Sequence, residues 1–177
     1  LYNICRKEES TVKKFAIIGG SFNPVTKAHV EIGQIAAREL PGWQILYIPA
    51  PDRFLTSWKS MEKKEILSGE QRLNLLRKAV EPYGFLCEDC EVHLKTSAKT
   101  YDTMQYLRAQ YGQDTQLVYV CGTDKLSELS IWYKAEGIFE LSRFLVIPRD
   151  GDEPEKMIKE IPFLKERRDR ILISHEP

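Results

Sequence analysis

The stretch that decides the fold is FAIIGGSFNPVTKAHVEIGQIAAREL, from Phe15 to Leu40. Phe15 to Ile18 is a short apolar run with a β-branched pair, the pattern of a strand buried on both faces. Gly19 and Gly20 end it. Apolar residues return at Val30, Ile32, Ile35, Ala36 and Leu40, which is helical spacing, and Pro41 and Gly42 stop that helix. Strand, glycine turn and helix together make the opening unit of a sheet whose strands are joined by helices.

Outward from this unit the pattern repeats. Gln44 to Ile48 reads as a second buried strand. Pro49 to Ser68 has the composition of a long loop beside a site, with Phe54, Leu55 and Trp58 either packing or covering a ligand. From Gly69 a helix is expected, with Leu73, Leu75, Leu76 and Val80 facing inward and Pro82 and Gly84 closing it. Phe85 to Leu94 reads as a strand, Thr100 to Tyr111 as a helix ended by Gly112, and Leu117 to Cys121 as a strand. One or two short helices follow between Gly122 and Leu141, then a strand from Arg143 to Ile147, a helix from Glu155 to Ile161 and a strand from Arg170 to Ile173. This alternation predicts an α/β fold: a doubly wound, mainly parallel sheet with helices on both faces. It forms one domain over residues 14–177, preceded by a charged, loosely docked arm over residues 1–13. Ligands of such sheets bind beyond the carboxyl ends of the strands.

A chain of 177 residues can bury a core without disulfides or metals. Its 26 basic and 26 acidic residues cancel, so the molecule as a whole has no attraction for nucleic acid or an anionic membrane, and neither is expected as a partner. Any anion must be gripped locally. No apolar run approaches the roughly 20 residues of a spanning helix, and LYNICRKEES lacks the apolar stretch of a signal peptide, so a cytoplasmic protein is expected. Cys5, Cys87, Cys90 and Cys121 are then read as reduced thiols. Cys87, Cys90 and His93 suggest a metal site. Against it, strand-like alternation in CEDCEVHL would send the two sulfurs to opposite faces, and no second ligand pair follows, so no protein-held metal is expected. Self-association is left open.

Three strand ends carry the chemistry: GGSFNPVTKAH, PDRF and CGTD. Gly19 and Gly20 let backbone amides approach a ligand closely, and the helix that follows aims its free N–H groups and positive dipole end at the same place, which suits a phosphate. Glycines alone more often make a tight turn. Neither GxGxxG nor GxxxxGK[ST] is present, which disfavours an ordinary dinucleotide site and a Walker loop. Thr26 and His29 stand three apart on one face of the helix start, where a hydroxyl and an imidazole both reach an anion and can stabilise charge developing in phosphoryl transfer.

GGSFNPVTKAH resembles the signature of the nucleotidyltransferases recognised by G(S/T)F(D/N)P followed by (H/T)xxH, with Thr26 and His29 at the two ends of the second element. Within that superfamily the chain is most similar to nicotinate or nicotinamide mononucleotide adenylyltransferases. The resemblance continues through EQRLNLL, KTYDTMQYL and CGTDKLSELSIWYKAEGIF, covering roughly residues 14–149. It implies a Rossmann-like fold and transfer of the adenylyl group of ATP to nicotinate mononucleotide, giving nicotinate adenine dinucleotide and pyrophosphate in NAD biosynthesis. Mg2+ would be carried on the ATP phosphates. Catalysis would fall to His29, assisted by Thr26. Gly19, Gly20, Ser21, Phe22, His29, Gly122, Asp124 and Arg149 would meet ATP, with Asp124 on a ribose hydroxyl. Asp124 also suits a helix cap. Asn23, Arg72, Thr100, Trp132 and Tyr133 would meet the mononucleotide, with Trp132 stacked on the pyridine ring.

The resemblance leaves alternatives open: nicotinamide mononucleotide as acceptor, another adenylyl- or cytidylyltransferase of the superfamily, or a nucleotide-binding regulatory domain without catalysis. The related pantetheine-phosphate adenylyltransferases and cytidylyltransferases usually show HxGH, and Thr26 in place of the first histidine favours the pyridine branch. The family also carries a late ISS(S/T)xxR segment that binds the triphosphate. RILISHEP does not contain it, so the resemblance implies either a chain cut short there or a protein without that clamp.

Overall fold

The computed structural model describes residues 12–57 and 66–176, over which a six-stranded sheet forms with every neighbouring pair parallel. In chain order the elements are β1 (Lys14–Gly20), α1 (Lys27–Glu39), β2 (Gln44–Pro49), α2 (Asp52–Ser57), α3 (Gly69–Val80), β3 (Leu86–Cys87), α4 (Thr100–Tyr111), β4 (Gln116–Gly122), α5 (Ala135–Leu141), β5 (Ser142–Ile147), α6 (Pro154–Glu160), α7 (Pro162–Lys165) and β6 (Ile171–Ile173). The spatial order is β3-β2-β1-β4-β5-β6, so the winding reverses between β1 and β4. The arm lies almost wholly outside the described residues, as do Cys5 and Trp58.

Strand alternation divides the core in two. On one face Phe15, Ile17, Leu46, Ile48 and Phe144 pack with Met104 and Leu107 of α4, Ile138 and Phe139 of α5, Ile158 of α6 and Leu164 of α7. On the other, Ala16, Ile18, Ile45, Tyr47, Val118, Val120 and Leu145 pack with Ile35 and Ala36 of α1 and Leu76 and Val80 of α3. Burial of these aliphatic and aromatic side chains is the main stabilising term.

Three expectations change. The strand expected from Phe85 to Leu94 shrinks to Leu86–Cys87. The Glu88 amide still bonds Tyr47 O, but Lys95 N then bonds Cys90 O across a run of turns, which takes the backbone away from the sheet. Cys87 packs with the second cluster and Cys90 with the first. Leu75 is 42% exposed. At about 100° per residue it lies well away from Leu73 and Leu76, whose direction faces the sheet. The presumed loop after Pro49 contains α2, whose Leu55 is fully buried.

Gly33 lets α1 come close to the sheet, because a Cβ there would stand 2.1 Å from the Tyr47 hydroxyl and 2.9 Å from the Phe85 ring. The same hydroxyl donates to His29 O at 2.8 Å, tying the start of α1 to β2. At the other end of α1, the Ser174 hydroxyl and the His175 amide both bond Glu39 Oε1, and Arg38 pairs with Glu176. Residues beyond β6 are thereby anchored on α1. No helix among the described residues is long and apolar enough to cross a membrane.

Candidate active site

The sheet opens where the winding reverses. β1 stays paired with β2 as far as Gly20 and Pro49, and β4 with β5 as far as Gly122 and Ile147. The register between β1 and β4, however, stops at Ile17 and Tyr119. Three residues of β1 and three of β4 therefore leave each other at their carboxyl ends, making a crevice at the topological switch point. The starts of α1 and α4 face the same edge, and so do their positive dipole ends.

On the β1 wall the glycine pair answers first to neighbouring protein. Neither Gly19 nor Gly20 has a positive φ. A Cβ on Gly19 would stand 2.8 Å from the Tyr119 hydroxyl, and one on Gly20 would stand 3.0 Å from the Phe22 ring. Phe22, at φ 47, folds its ring back over Gly20 and against His29, with centroids 5.1 Å apart. That ring is 1% exposed, so Phe22 can offer a nucleotide its backbone but not its side chain.

His29 is the third residue of α1, and its Nδ1 accepts the Thr26 amide at 3.0 Å, with Thr26 Oγ1 2.9 Å from the same nitrogen. The imidazole thus takes the part that glutamate or glutamine plays in a capping box. A nitrogen that accepts from an amide carries no proton, so the ring proton of the neutral form belongs to Nε2. The half-buried imidazole thereby offers an N–H donor whose direction is set by the helix start.

Arg72 departs from its expected role. It has no exposed surface, and its guanidinium donates to Ser21 O at 2.8 Å, Leu67 O at 3.1 Å and Asp52 Oδ1 at 2.6 Å. A side chain so enclosed does not meet a mononucleotide in this arrangement; it fastens the glycine loop to α2 and α3. Asn23 does similar work, its Oδ1 accepting the Leu67 amide at 2.9 Å.

The β4 wall carries the acceptor candidates. Tyr119 crosses the crevice, its hydroxyl beside Gly19 and facing the Thr100 side chain, and burial keeps the phenol neutral by raising its pKa. Trp132, half-buried, meets Tyr119 edge-on with centroids 5.5 Å apart. Tyr133 is 44% exposed and sits edge-on to Tyr101. Asp124 turns back over Gly122, where a Cβ would be 2.6 Å from its Oδ1, and Gly122 itself is the cap of the short turn Thr123–Lys125. The cap alternative for Asp124 is thus filled by another residue. Arg149 stands exposed just past β5, its amide bonded to Asp152. Tyr119 escaped the sequence reading, although a phenol inside an aliphatic strand signals a hydroxyl in need of a partner.

The segment ahead of α4 is stapled by side chains. Arg53 donates to Ser97 O at 2.9 Å, the Ser97 hydroxyl bonds Asp102, and His93 lies between Glu70 and Asp89. These carboxylates, Glu70 foremost, raise the His93 imidazole above its usual range. Glu91 Oε1 accepts the Thr103 hydroxyl at 2.7 Å, and burial pushes its carboxyl up from 4.5 to about 7, against the opposing effects of that hydrogen bond and of Arg53. A raised carboxyl favours folding while protonated. Its contribution is complete below pH 4.5 and is lost as pH rises through about 7. Between about pH 5 and pH 8 the wild type should therefore lose on the order of 1–3 kcal/mol more stability than Glu91→Gln, measured by denaturant unfolding. Parallel curves for the two proteins would remove Glu91 as the cause. Burial also raises the thiols of Cys87, Cys90 and Cys121, to about 11, 12 and 12, which keeps them protonated and unreactive.

Comparison with known proteins fits this geometry. The sequence model described as cytidylyltransferase-like matches residues 17–174. A curated relative from Clostridium botulinum (strain Eklund 17B / Type B), named "Probable nicotinate-nucleotide adenylyltransferase", is 26% identical over 157 residues, covering 88% of this chain and 74% of the relative. One of the same name from Clostridium perfringens (strain SM101 / Type A) is 29% identical over 149 residues, covering 84% and 71%. Among solved structures, the nicotinic acid mononucleotide adenylyltransferase of Plasmodium falciparum complexed with NaAD superposes with a TM-score of 0.67 at 18% identity, over 91% of this chain and 74% of that one. At that identity the likeness speaks for the fold.

Proposed function

The chain belongs to the cytidylyltransferase-like family, and from that membership we propose that it is a nicotinate-nucleotide adenylyltransferase, joining nicotinate mononucleotide to the AMP part of ATP in NAD biosynthesis. The observation that carries the reading is the parting of β1 and β4, with the His29 imidazole on one side of the gap and Thr100 and Trp132 on the other. Two substrates can meet there end to end. The triphosphate suits the start of α1, where helix amides and His29 gather, and Gly122, Asp124 and Arg149 line the adjacent strand ends for the rest of ATP. The curated relatives bear the name of this activity.

An oxygen of the acceptor phosphate forms a bond to the α-phosphorus while the bond from that phosphorus to the β-phosphate bridging oxygen breaks, and pyrophosphate leaves. No protein nucleophile is needed, because the attacking phosphate is already ionised. The protein orients two anions and offsets charge in the transition state. His29 serves by donating from Nε2, and Thr26 by holding Nδ1. Mg2+ is taken as part of the nucleotide substrate, carried on its phosphate oxygens. Among the described residues no group of three or more His, Cys, Asp or Glu side chains is arranged to hold an ion. On the acceptor side, the first-turn amides of α4, whose cap residue Lys99 makes no side-chain cap bond, favour a ring bearing a carboxylate. A cytoplasmic location is proposed with this role.

The test is pyrophosphate release with ATP and Mg2+ and, in parallel, nicotinate mononucleotide, nicotinamide mononucleotide, phosphopantetheine or buffer. Release should require a pyridine mononucleotide and be fastest with the nicotinate form. Release with phosphopantetheine alone would move the protein to another branch. ATP binding without release in any arm would make it a nucleotide-binding domain without turnover.

A further inference from the structure

Two ammonium groups at the rim of the acceptor side have no place in the reaction as described. Lys99 Nζ lies 4.1 Å from the centroid of the Tyr133 ring, and Lys134 Nζ lies 4.5 Å from that of Tyr101 and 5.3 Å from that of Tyr133. The two lysines flank the acceptor candidates in sequence, Lys99 directly before Thr100 and Lys134 two residues after Trp132. Lys99 is the residue before α4, and Lys134 is the residue before α5. Lys99 therefore reaches from the start of α4 to the segment that leads into α5.

Among the described residues neither ammonium is within ion-pair distance of a carboxylate. Asp102 and Glu136, the first-turn acids of the two helices, are engaged elsewhere: Asp102 accepts the Ser97 hydroxyl, and Glu136 lies 3.8 Å from Arg167. An aromatic face orients a cation but leaves its charge in place. Two like charges thus share one pair of tyrosines beside the positive end of a twelve-residue helix. Lys134 is held there in the left-handed region, at φ 53 and ψ 46, a conformation unfavourable for any residue but glycine. Surface lysines usually extend into water. These two are gathered at the mouth of the site with their charge uncompensated.

We propose that Lys99 and Lys134 form a cationic rim that selects acceptors whose ring carries a carboxylate over those carrying an amide. The proposal rests on the pyridine mononucleotide reading given above. A carboxylate at the Thr100 end of the crevice is drawn by both charges and by the helix end, whereas a neutral amide gains nothing from them. The discrimination is Coulombic and needs no direct hydrogen bond from either lysine.

The experiment measures kcat/KM for nicotinate and nicotinamide mononucleotide, at low and high NaCl, for the wild type, Lys99→Met, Lys134→Met, the double variant and Lys99→Arg. Methionine keeps the apolar stem on the tyrosine and removes the charge. Each single change should lower the nicotinate-to-nicotinamide ratio about three- to fivefold, the scale of a partly exposed charge interaction. The double variant should lower it about tenfold, Lys99→Arg should preserve it, and the KM for ATP should hold. Raising salt should bring the wild-type ratio down towards that of the double variant. An unchanged ratio, or an equal loss with both acceptors, overturns the proposal and leaves the lysines as packing. Failure of the functional reading shows separately: the wild type would then use neither pyridine mononucleotide, and the proposal falls with it.

Discussion

Replacing His29 with alanine should lower pyrophosphate release at saturating substrates by about two to three orders of magnitude, the usual cost of removing one aligned donor from a developing negative charge. The KM for ATP should move by less than about threefold, because the ground-state triphosphate still has the helix amides. The split follows from geometry. With Nδ1 occupied by the Thr26 amide, the ring is oriented by backbone, and the donor at Nε2 needs no reorganisation when charge builds up. Thr26→Val should therefore be mild, with under about tenfold loss in kcat, since it removes a hydroxyl and keeps the amide that sets the tautomer. Steady-state kinetics on both variants, with thermal melts beside them, check the point. If His29→Ala lost melting temperature while keeping its kcat, His29 would be a helix cap and nothing more.

The contiguous motifs were readable because their chemistry is short in range. Thr26 and His29 sit three apart, and helix periodicity alone brings them together. Thr100 to Tyr111 could be delimited from sequence because Gly112, at φ 115, ends the helix in a conformation that other residues avoid. The alternation of FLCEDCEVHL was misleading for a physical reason. Its polar residues are spoken for by partners outside the segment, Asp89 by Lys95 and Glu91 by Thr103, so the backbone is held in turns by side chains, a possibility that period-two patterning cannot register. α7 went unread because a single turn begun by Pro162 leaves no period to detect.

The acceptor wall was legible only in part. Thr100 and Trp132 lie in recognisable motifs, but Tyr119 enters the site only because β1 and β4 part beyond Ile17. Pairing between strands some hundred residues apart leaves no local trace. The glycine pair teaches the same lesson. Glycine ahead of a helix suggests room for a ligand, yet the atoms nearest the missing Cβ groups are the Tyr119 hydroxyl and the Phe22 ring. The close approach here is first of all between parts of the protein, and it draws Tyr119 and Phe22 to opposite sides of one short loop.

Arg72→Met should be the most destabilising of the changes considered. The arginine holds two backbone carbonyls, Ser21 O and Leu67 O, and one carboxylate, Asp52, without exposed surface of its own. Methionine fills part of the volume and supplies no donor. Breaking a fully buried pair costs about 3–5 kcal/mol, but Asp52 is 55% exposed and can be rehydrated, so about 2–4 kcal/mol is expected. For a chain of this size that corresponds to a fall of about 5–15 °C in melting temperature. Asp52→Asn, which leaves both carbonyl contacts in place, should cost under about 1 kcal/mol. Arg72→Lys should rescue little, because a single ammonium cannot reach three acceptors that the planar fork meets in different directions. The functional consequence is separable from the thermal one. At temperatures where Arg72→Met remains folded, the glycine loop has lost its tie to α3, and kcat should fall even with every residue facing the substrates intact. A folded Arg72→Met protein with wild-type kcat would mean that Asn23 and the Ala50 bond to Gly20 O are enough to hold that loop.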